Sequence, residues 1–335
     1  MTPRIVDATP SAIRDAAQRL RAGELVAFPT ETVYGLGSHA LDANAVARIF
    51  AAKGRPAWNP VIVHVADVDS ARALVTRWPV AAERLAITSW PGPLTLVMPR
   101  AAHVPDVVTG GADTVAVRIP SHPVALALLR EAGIPIAAPS ANRFTQLSPT
   151  RAEHVVSALG DRVDLILDGG PCDVGIESTV VDCTGETPVV LRTGLLDADT
   201  LAARLGAPVE VAARRVVADD ALRASPGMVE RHYAPRAEVW LATRADRAEI
   251  ASGLHARRLA TPTVRVGAIA RGTGWAPPDA DVVERLPDDP AGYARGLYAA
   301  LHAFDAAGCD IVVVDAPPSD GPWAGVHDRL TRATR

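Results

Sequence analysis

From residue 24 to residue 192 the chain keeps returning to one pattern: a short apolar run rich in Val, Ile and Leu, closed off by Gly, Pro or a polar cluster. ELVAF (24–28), VIVHV (61–65), LTLVM (94–98), TVAVRI (114–119), IPIAA (134–138), DLILD (164–168), STVVD (178–182) and VVLR (189–192) have the length and branched-residue content of strands. Helical spacing falls between several of them. Residues 11–22 place Ile13, Ala16, Ala17 and Leu20 on one face and stop at Gly23. Residues 42–53 offer Asp42 as N-cap, Val46, Ile49 and Phe50 as the apolar face, and Gly54 as the stop. Further helices fit 122–132 and 151–159, the second capped by Thr150. Such alternation predicts an α/β fold, and adjacent strands without a helix between them predict a mixed rather than a purely parallel sheet.

After residue 206 the alternation lapses. Pro226-Gly227 and Pro235 break residues 207–236, which read as a linker. Beyond it, strands near 237–242, 262–268 and 310–315 and helices near 245–257 and 290–306 predict a smaller second α/β domain. The expected division is therefore 1–206, a linker 207–236, and 237–335.

Composition excludes several classes. The 335 residues are 48% hydrophobic with a net charge of −4 and 4% aromatics, which suits a sizeable core and not a general polyanion-binding surface. Cys172, Cys183 and Cys309 lack the spacing of a zinc site or a disulfide framework, so buried thiols and no structural metal are expected. No run has the apolar length of a signal-peptide core at the start or of a membrane helix elsewhere, and the expectation is a soluble cytoplasmic protein without membrane contact.

Gly35-Leu36-Gly37-Ser38-His39-Ala40 fits a dinucleotide-binding fingerprint, but the polar stretch Thr30–Tyr34 stands where the strand should lead straight into the first glycine, so that reading is set aside. The phosphate loop that ends in Gly-Lys-Ser/Thr is impossible, because the single lysine, Lys53, is followed by Gly54 and Arg55.

Six stretches remain: FPTETVYGLG (28–37), KGRPAWNPVIVHV (53–65), PGPLTLV (91–97), TVAVRIP (114–120), APSANRFTQLSPT (138–150) and GIESTVVD (175–182). Each joins hydroxyl or basic residues to Gly or Pro at an element end. Taken singly they are ordinary turns; six within one segment point to a site. Lys53, Arg55 and Arg192 offer cations, and Thr114, Ser140, Asn142 and Ser148 offer donors, for a phosphate chain. Arg118 could fork onto a carboxylate or form a surface ion pair, and His64, flanked by valines, could be a packed histidine or a ligand-facing one.

In this order the stretches resemble the Sua5/YrdC family of threonylcarbamoyl-AMP synthases, and a second domain after SPGMVERHYAP resembles the two-domain Sua5 branch. The resemblance implies a YrdC-like twisted mixed sheet around a concave cavity, a linker that closes over the site, and a Rossmann-like C-terminal domain. It implies a nucleotidyltransferase that joins L-threonine, bicarbonate and ATP, with Mg2+, into threonylcarbamoyl-AMP and pyrophosphate for N6-threonylcarbamoyl modification of adenosine 37 in tRNA. On it, Lys53 and Arg55 are catalytic and, with Asn59, Thr114, Ser140, Asn142, Ser148, Arg192 and Tyr233, face ATP. Thr32, His64, Arg118, Ala138 and Ser178 face threonine. A separate transferase complex would receive the product, with at most weak tRNA contact here. Trp58, Val61 and the glycine-free Phe144-Thr145-Gln146 depart from the family pattern and bear on the path of the 143–148 loop. Lys53 is expected as a compact, hydrated charge against the triphosphate. The competing reading is a non-catalytic RNA-binding translation or ribosome-maturation factor on the same fold; a carbamoyl-transfer maturation enzyme would need paired CxxC fingers that three isolated cysteines cannot supply.

Overall fold

The computed structural model describes residues 4–212 and 233–334. The first domain contributes β1 (Arg4–Asp7), β2 (Val26–Pro29), β3 (Tyr34–His39), β4 (Ile62–His64), β5 (Leu94–Pro99), β6 (Thr114–Arg118), β7 (Ile136–Ala137), β8 (Leu165–Asp168), β9 (Thr179–Asp182), β10 (Val189–Arg192) and β11 (Glu210–Val211). They form one mixed sheet in the order β1-β8-β2-β3-β7-β4-β6-β5-β9-β10-β11. Around it lie α1 (Pro10–Arg21), α2 (Ala43–Lys53), α3 (Val68–Arg72), α4 (Val80–Ser89), α5 (Asp106–Thr109), α6 (Pro123–Ala132), α7 (Ala152–Leu159) and α8 (Ala198–Leu205). The second domain has β12 (Glu238–Ala242), β13 (Val266–Arg271), β14 (Val282–Leu286) and β15 (Ile311–Asp315), all parallel in the order β12-β15-β13-β14, with α9 (Arg247–Ala260), α10 (Pro290–Ala306) and α11 (Ala324–Ala333).

Local chemistry sets the elements that matter for the site. Asp42 caps α2 by accepting from the Asn44 and Ala45 N–H groups, and Gly54 ends it in the left-handed region at φ 63°. Val46, Ile49 and Phe50 bury the face read from the sequence. Thr150 does not cap α7: the N-cap is Arg151 without a side-chain bond, and the Thr150 N–H is directed at His154 Nδ1, 3.3 Å away. Gly35-Leu36-Gly37 is no phosphate turn but part of β3, antiparallel to β2. A Cβ on Gly37 would lie 2.8 Å from the Phe28 ring and 3.0 Å from Ile136, so close packing accounts for that glycine. The three thiols are free and buried, and no helix among the described residues is long and apolar enough to cross a membrane.

One of the apolar clusters spans the two domains: Val33, Leu147 and Ile176 of the first, with Tyr233 of the linker, pack with Tyr293, Leu297, Leu301, Val326 and Leu330 of the second, so α10 and α11 lie against the first domain. Of the expected linker, residues 213–232, with Pro226-Gly227 and His232, lie outside the described residues.

Candidate active site

The β2–β3 turn builds one end of a cleft. The Thr30 hydroxyl donates to the Val33 carbonyl at 2.7 Å while its oxygen accepts the N–H groups of Thr32 and Val33, which fixes the turn and directs Thr32 inward. Arg118 Nη1 donates to Thr32 Oγ1 at 2.9 Å and Nε to the Gly92 carbonyl at 3.2 Å. Behind it, the buried Glu31 carboxylate lies 2.8 Å from Nη2 as an ion pair not aligned as a hydrogen bond. Parallel β4 and β6 put His64 beside Arg118 in register. Burial, reinforced by the Arg118 charge, pushes the His64 imidazole down to about 3, so it is neutral at pH 7. Ser178 lines the cleft, and the buried Thr95 shares a hydroxyl–hydroxyl bond of 2.8 Å with it.

Cations build the other end. Arg55, just past the α2 stop, donates through Nη2 to Asn59 Oδ1 at 2.7 Å and to the Pro60 carbonyl at 2.6 Å. Arg192, at the end of β10, donates through Nε to the Ser178 carbonyl at 3.1 Å and through Nη2 to Ser178 Oγ at 3.2 Å. Ser140 is bridged to Gly35. Three guanidiniums therefore face one cleft whose lining holds a single carboxylate, Glu177, an arrangement suited to an anionic ligand.

Of the residues singled out in the sequence, Thr32, Arg55, His64, Arg118, Ala138, Ser140, Ser178, Arg192 and Tyr233 line this cleft. The other five stand behind it or to one side. Lys53 is buried rather than hydrated: Nζ donates to the carbonyls of Ser140, at 2.5 Å, and Asn142, tying α2 to the loop that carries them. Burial, and secondarily Arg55, drive its pKa well below the ordinary lysine value, against the pull of Glu177. Asn59 holds Arg55, and Asn142 Nδ2 donates to the carbonyls of Arg143 and Gln146. Ser148 Oγ donates to Glu177 Oε1 at 2.5 Å. Thr114 sits at the far end of β6 from Arg118.

In the 143–148 loop, Thr145 adopts φ 71°, a region costly for a β-branched residue. Its carbonyl accepts the Ala234 N–H at 3.1 Å, which binds the loop to the segment leading into the second domain.

Glu177, inside GIESTVVD, has a role that only the folded chain discloses. Burial would raise its pKa, but Arg329, then Arg192 and the Ser148 hydrogen bond outweigh that and hold it below the usual carboxylate range. Arg329 and Tyr298, which touch it from the second domain, carried no sequence signal. Among the described residues no group of His, Cys, Asp or Glu is placed to hold a metal ion, and Glu177 is occupied by Arg329, so the donor set does not fit a protein-built magnesium site.

Fold and cleft together define a YrdC-type domain with a second domain docked beside the cleft. Residues 18–194 match the Sua5/YciO/YrdC family model, described as telomere recombination, and residues 197–334 match the threonylcarbamoyl-AMP synthase C-terminal domain. The chain is 43% identical over 326 residues to threonylcarbamoyl-AMP synthase of Pyrococcus abyssi, covering 96% of this chain and 94% of the relative. It is 41% identical over 324 residues to that of Bacillus subtilis, covering 96% and 92%. The crystal structure of P. abyssi Sua5 complexed with L-threonine superposes with a TM-score of 0.88 at 41% identity, over 99% of this chain and 97% of the other. The chain belongs to the Sua5/YciO/YrdC family, in its two-domain Sua5 branch.

Proposed function

We propose that this chain is an L-threonylcarbamoyladenylate synthase, a nucleotidyltransferase that converts L-threonine, bicarbonate and ATP into threonylcarbamoyl-AMP and pyrophosphate. One observation carries the reading: a single cleft has two cationic ends, Arg118 with Thr32 and neutral His64 at one, and Arg55 with Arg192 and Ser140 at the other. That separation suits an amino acid carboxylate and a phosphate chain held at once.

On this reading Arg118, held from behind by Glu31, takes the threonine carboxylate, and Ser178, backed by Thr95, faces its side chain. Bicarbonate loses hydroxide to give carbon dioxide, the neutral threonine amine adds to it, and the proton the nitrogen releases joins that hydroxide as water; one carbamate oxygen then attacks the α-phosphorus, and the bond to the pyrophosphate oxygen breaks. The carbamate is itself the nucleophile, so the chain's task is alignment, which contributes up to about 7–11 kcal/mol in favourable cases, and neutralisation of charge by Arg55 and Arg192. Magnesium is taken to arrive on the nucleotide's own oxygens. The linker, residues 207–236, which carries Tyr233, is proposed to close over the nucleotide and exclude water. The adenylate would pass to an enzyme that modifies adenosine 37 of tRNA.

The test is pyrophosphate release from ATP with threonine or bicarbonate omitted in turn, and with serine in place of threonine. Release that requires both and favours threonine supports the synthase; none, with tight RNA binding instead, overturns it in favour of the RNA-binding reading.

A further inference from the structure

The carboxylate in the cleft is held from the second domain. Arg329 on α11, with a side chain 0% exposed, donates through Nε to Glu177 Oε2 at 2.7 Å and through Nη1 to the Thr193 carbonyl at 2.9 Å. The Tyr298 hydroxyl on α10 lies 3.2 Å from Oε2 and 3.4 Å from Oε1. Glu177 Oε1 accepts the Ser148 hydroxyl, and His302, one turn along α10 from Tyr298, lies 3.1 Å from the Ser148 carbonyl. Ser148 is thus held at its hydroxyl and at its carbonyl by groups that belong to, or are fixed by, the second domain. Tyr233, which lines the cleft, packs its ring 5.1 Å from the Arg329 guanidinium and 6.0 Å from the Tyr298 ring.

Backbone contact makes the seam tight. A Cβ on Gly325 of α11 would strike the Gly194 carbonyl, and one on Gly194 would lie 2.6 Å from the Glu177 carbonyl. The first turn of α11 therefore rests, through one glycine, on the residue whose carboxylate α11 also binds. A buried ion pair is a poor means of stability, since apolar packing of the same volume serves as well or better. What a charged pair with three further hydrogen bonds does supply is a fixed orientation of its members.

We propose that Arg329 and Tyr298 are positioning residues of the nucleotide end: through Glu177 they fix Ser148, and by direct ring contact they fix Tyr233, so the second domain is a working part of the adenylation site. The proposal rests on the synthase reading, which puts ATP at this end. Among the described residues, the hydrogen bonds of Arg329 and Tyr298 reach Glu177, Thr193 and Asp328, and none reaches Thr32, His64 or Arg118 of the threonine end. Their loss must then weaken ATP and spare threonine, whereas a scaffold contact would weaken both ligands together or neither.

The experiment measures binding of ATP with magnesium, and of threonine, to the full chain by calorimetry, with steady-state KM and kcat alongside. Arg329→Met is expected to raise the ATP Kd and KM at least tenfold, Tyr298→Phe about three- to tenfold, and Arg329→Lys to recover part of the loss, with threonine Kd within twofold throughout. Tyr298→Phe removes one hydroxyl from a buried ring and decides the matter if Arg329→Met does not fold. Unchanged ATP affinity in the folded variants, or parallel loss of ATP and threonine, overturns the proposal. Failure of the unaltered chain to bind ATP would overturn the synthase reading itself, and this inference with it.

Discussion

At the scale of single residues, the lone lysine illustrates what spacing can and cannot disclose. The sequence places Lys53 at a helix end; its burial against two carbonyls follows from residues 140–142, almost ninety positions away in the chain. Lys53→Ala strips both carbonyls of their donor and is expected to destabilise the fold by about 2–5 kcal/mol, read as a lowered melting temperature; an unchanged one would return Lys53 to the surface. Arg118→Lys keeps the charge and loses the fork, so kcat/KM for threonine should fall about 10- to 100-fold with ATP KM little altered, in steady-state kinetics. His64 carries a pH signature. Its folded pKa of about 3 lies below the unfolded value near 6.5, so the unfolded chain binds the extra proton and stability falls as pH drops from about 6.5 toward 3. His154, also near 3 through burial and its neighbours His302 and Arg151, adds in the same direction. His64→Gln should remove about 1.4 kcal/mol per pH unit from that slope, measured by urea unfolding at pH 6 and pH 4.5.

At the scale of elements, the apolar runs were legible because a strand buried on both faces must be built of Val, Ile and Leu, and β4, β6, β8 and β9 are of that kind. β3 was not, since YGLGSH reads as a turn; only Phe28 and Ile136, brought against Gly37 by the sheet, show why glycine is needed. Gly37→Val should cost about 1–3 kcal/mol by overpacking, visible as a lower melting temperature. β1, β14, α4, α8 and α11 also escaped the reading. β1 and β14 expose most of their residues, and α4 is apolar on too many sides for its 3.6-residue period to stand out. In the site, residues next to Gly and Pro punctuation such as Arg55 and Ser140 were legible. Glu177 and Arg329 were not, because their meaning lies in a contact 152 residues apart.

At the scale of the whole molecule, two domains share one apolar cluster at their seam and one buried charge network. Gly325→Ala places a methyl group against the Gly194 carbonyl, backbone that cannot rotate away. The seam must open, and calorimetric melting is expected to separate into two transitions where the unaltered chain shows one; a single unshifted transition would mean the seam tolerates the group. The order of the large sheet has a further consequence, in time rather than in energy. β8 stands between β1 and β2, yet it is made more than a hundred residues after them. At about 5–20 residues per second, a ribosome extrudes the first two strands on the order of ten seconds before the strand that joins them exists. During that interval the edges of β1 and β2 that β8 will join are unpaired, so the birth of this sheet is a matter for whatever shelters a nascent chain, and the docking of its first strand waits for residue 168.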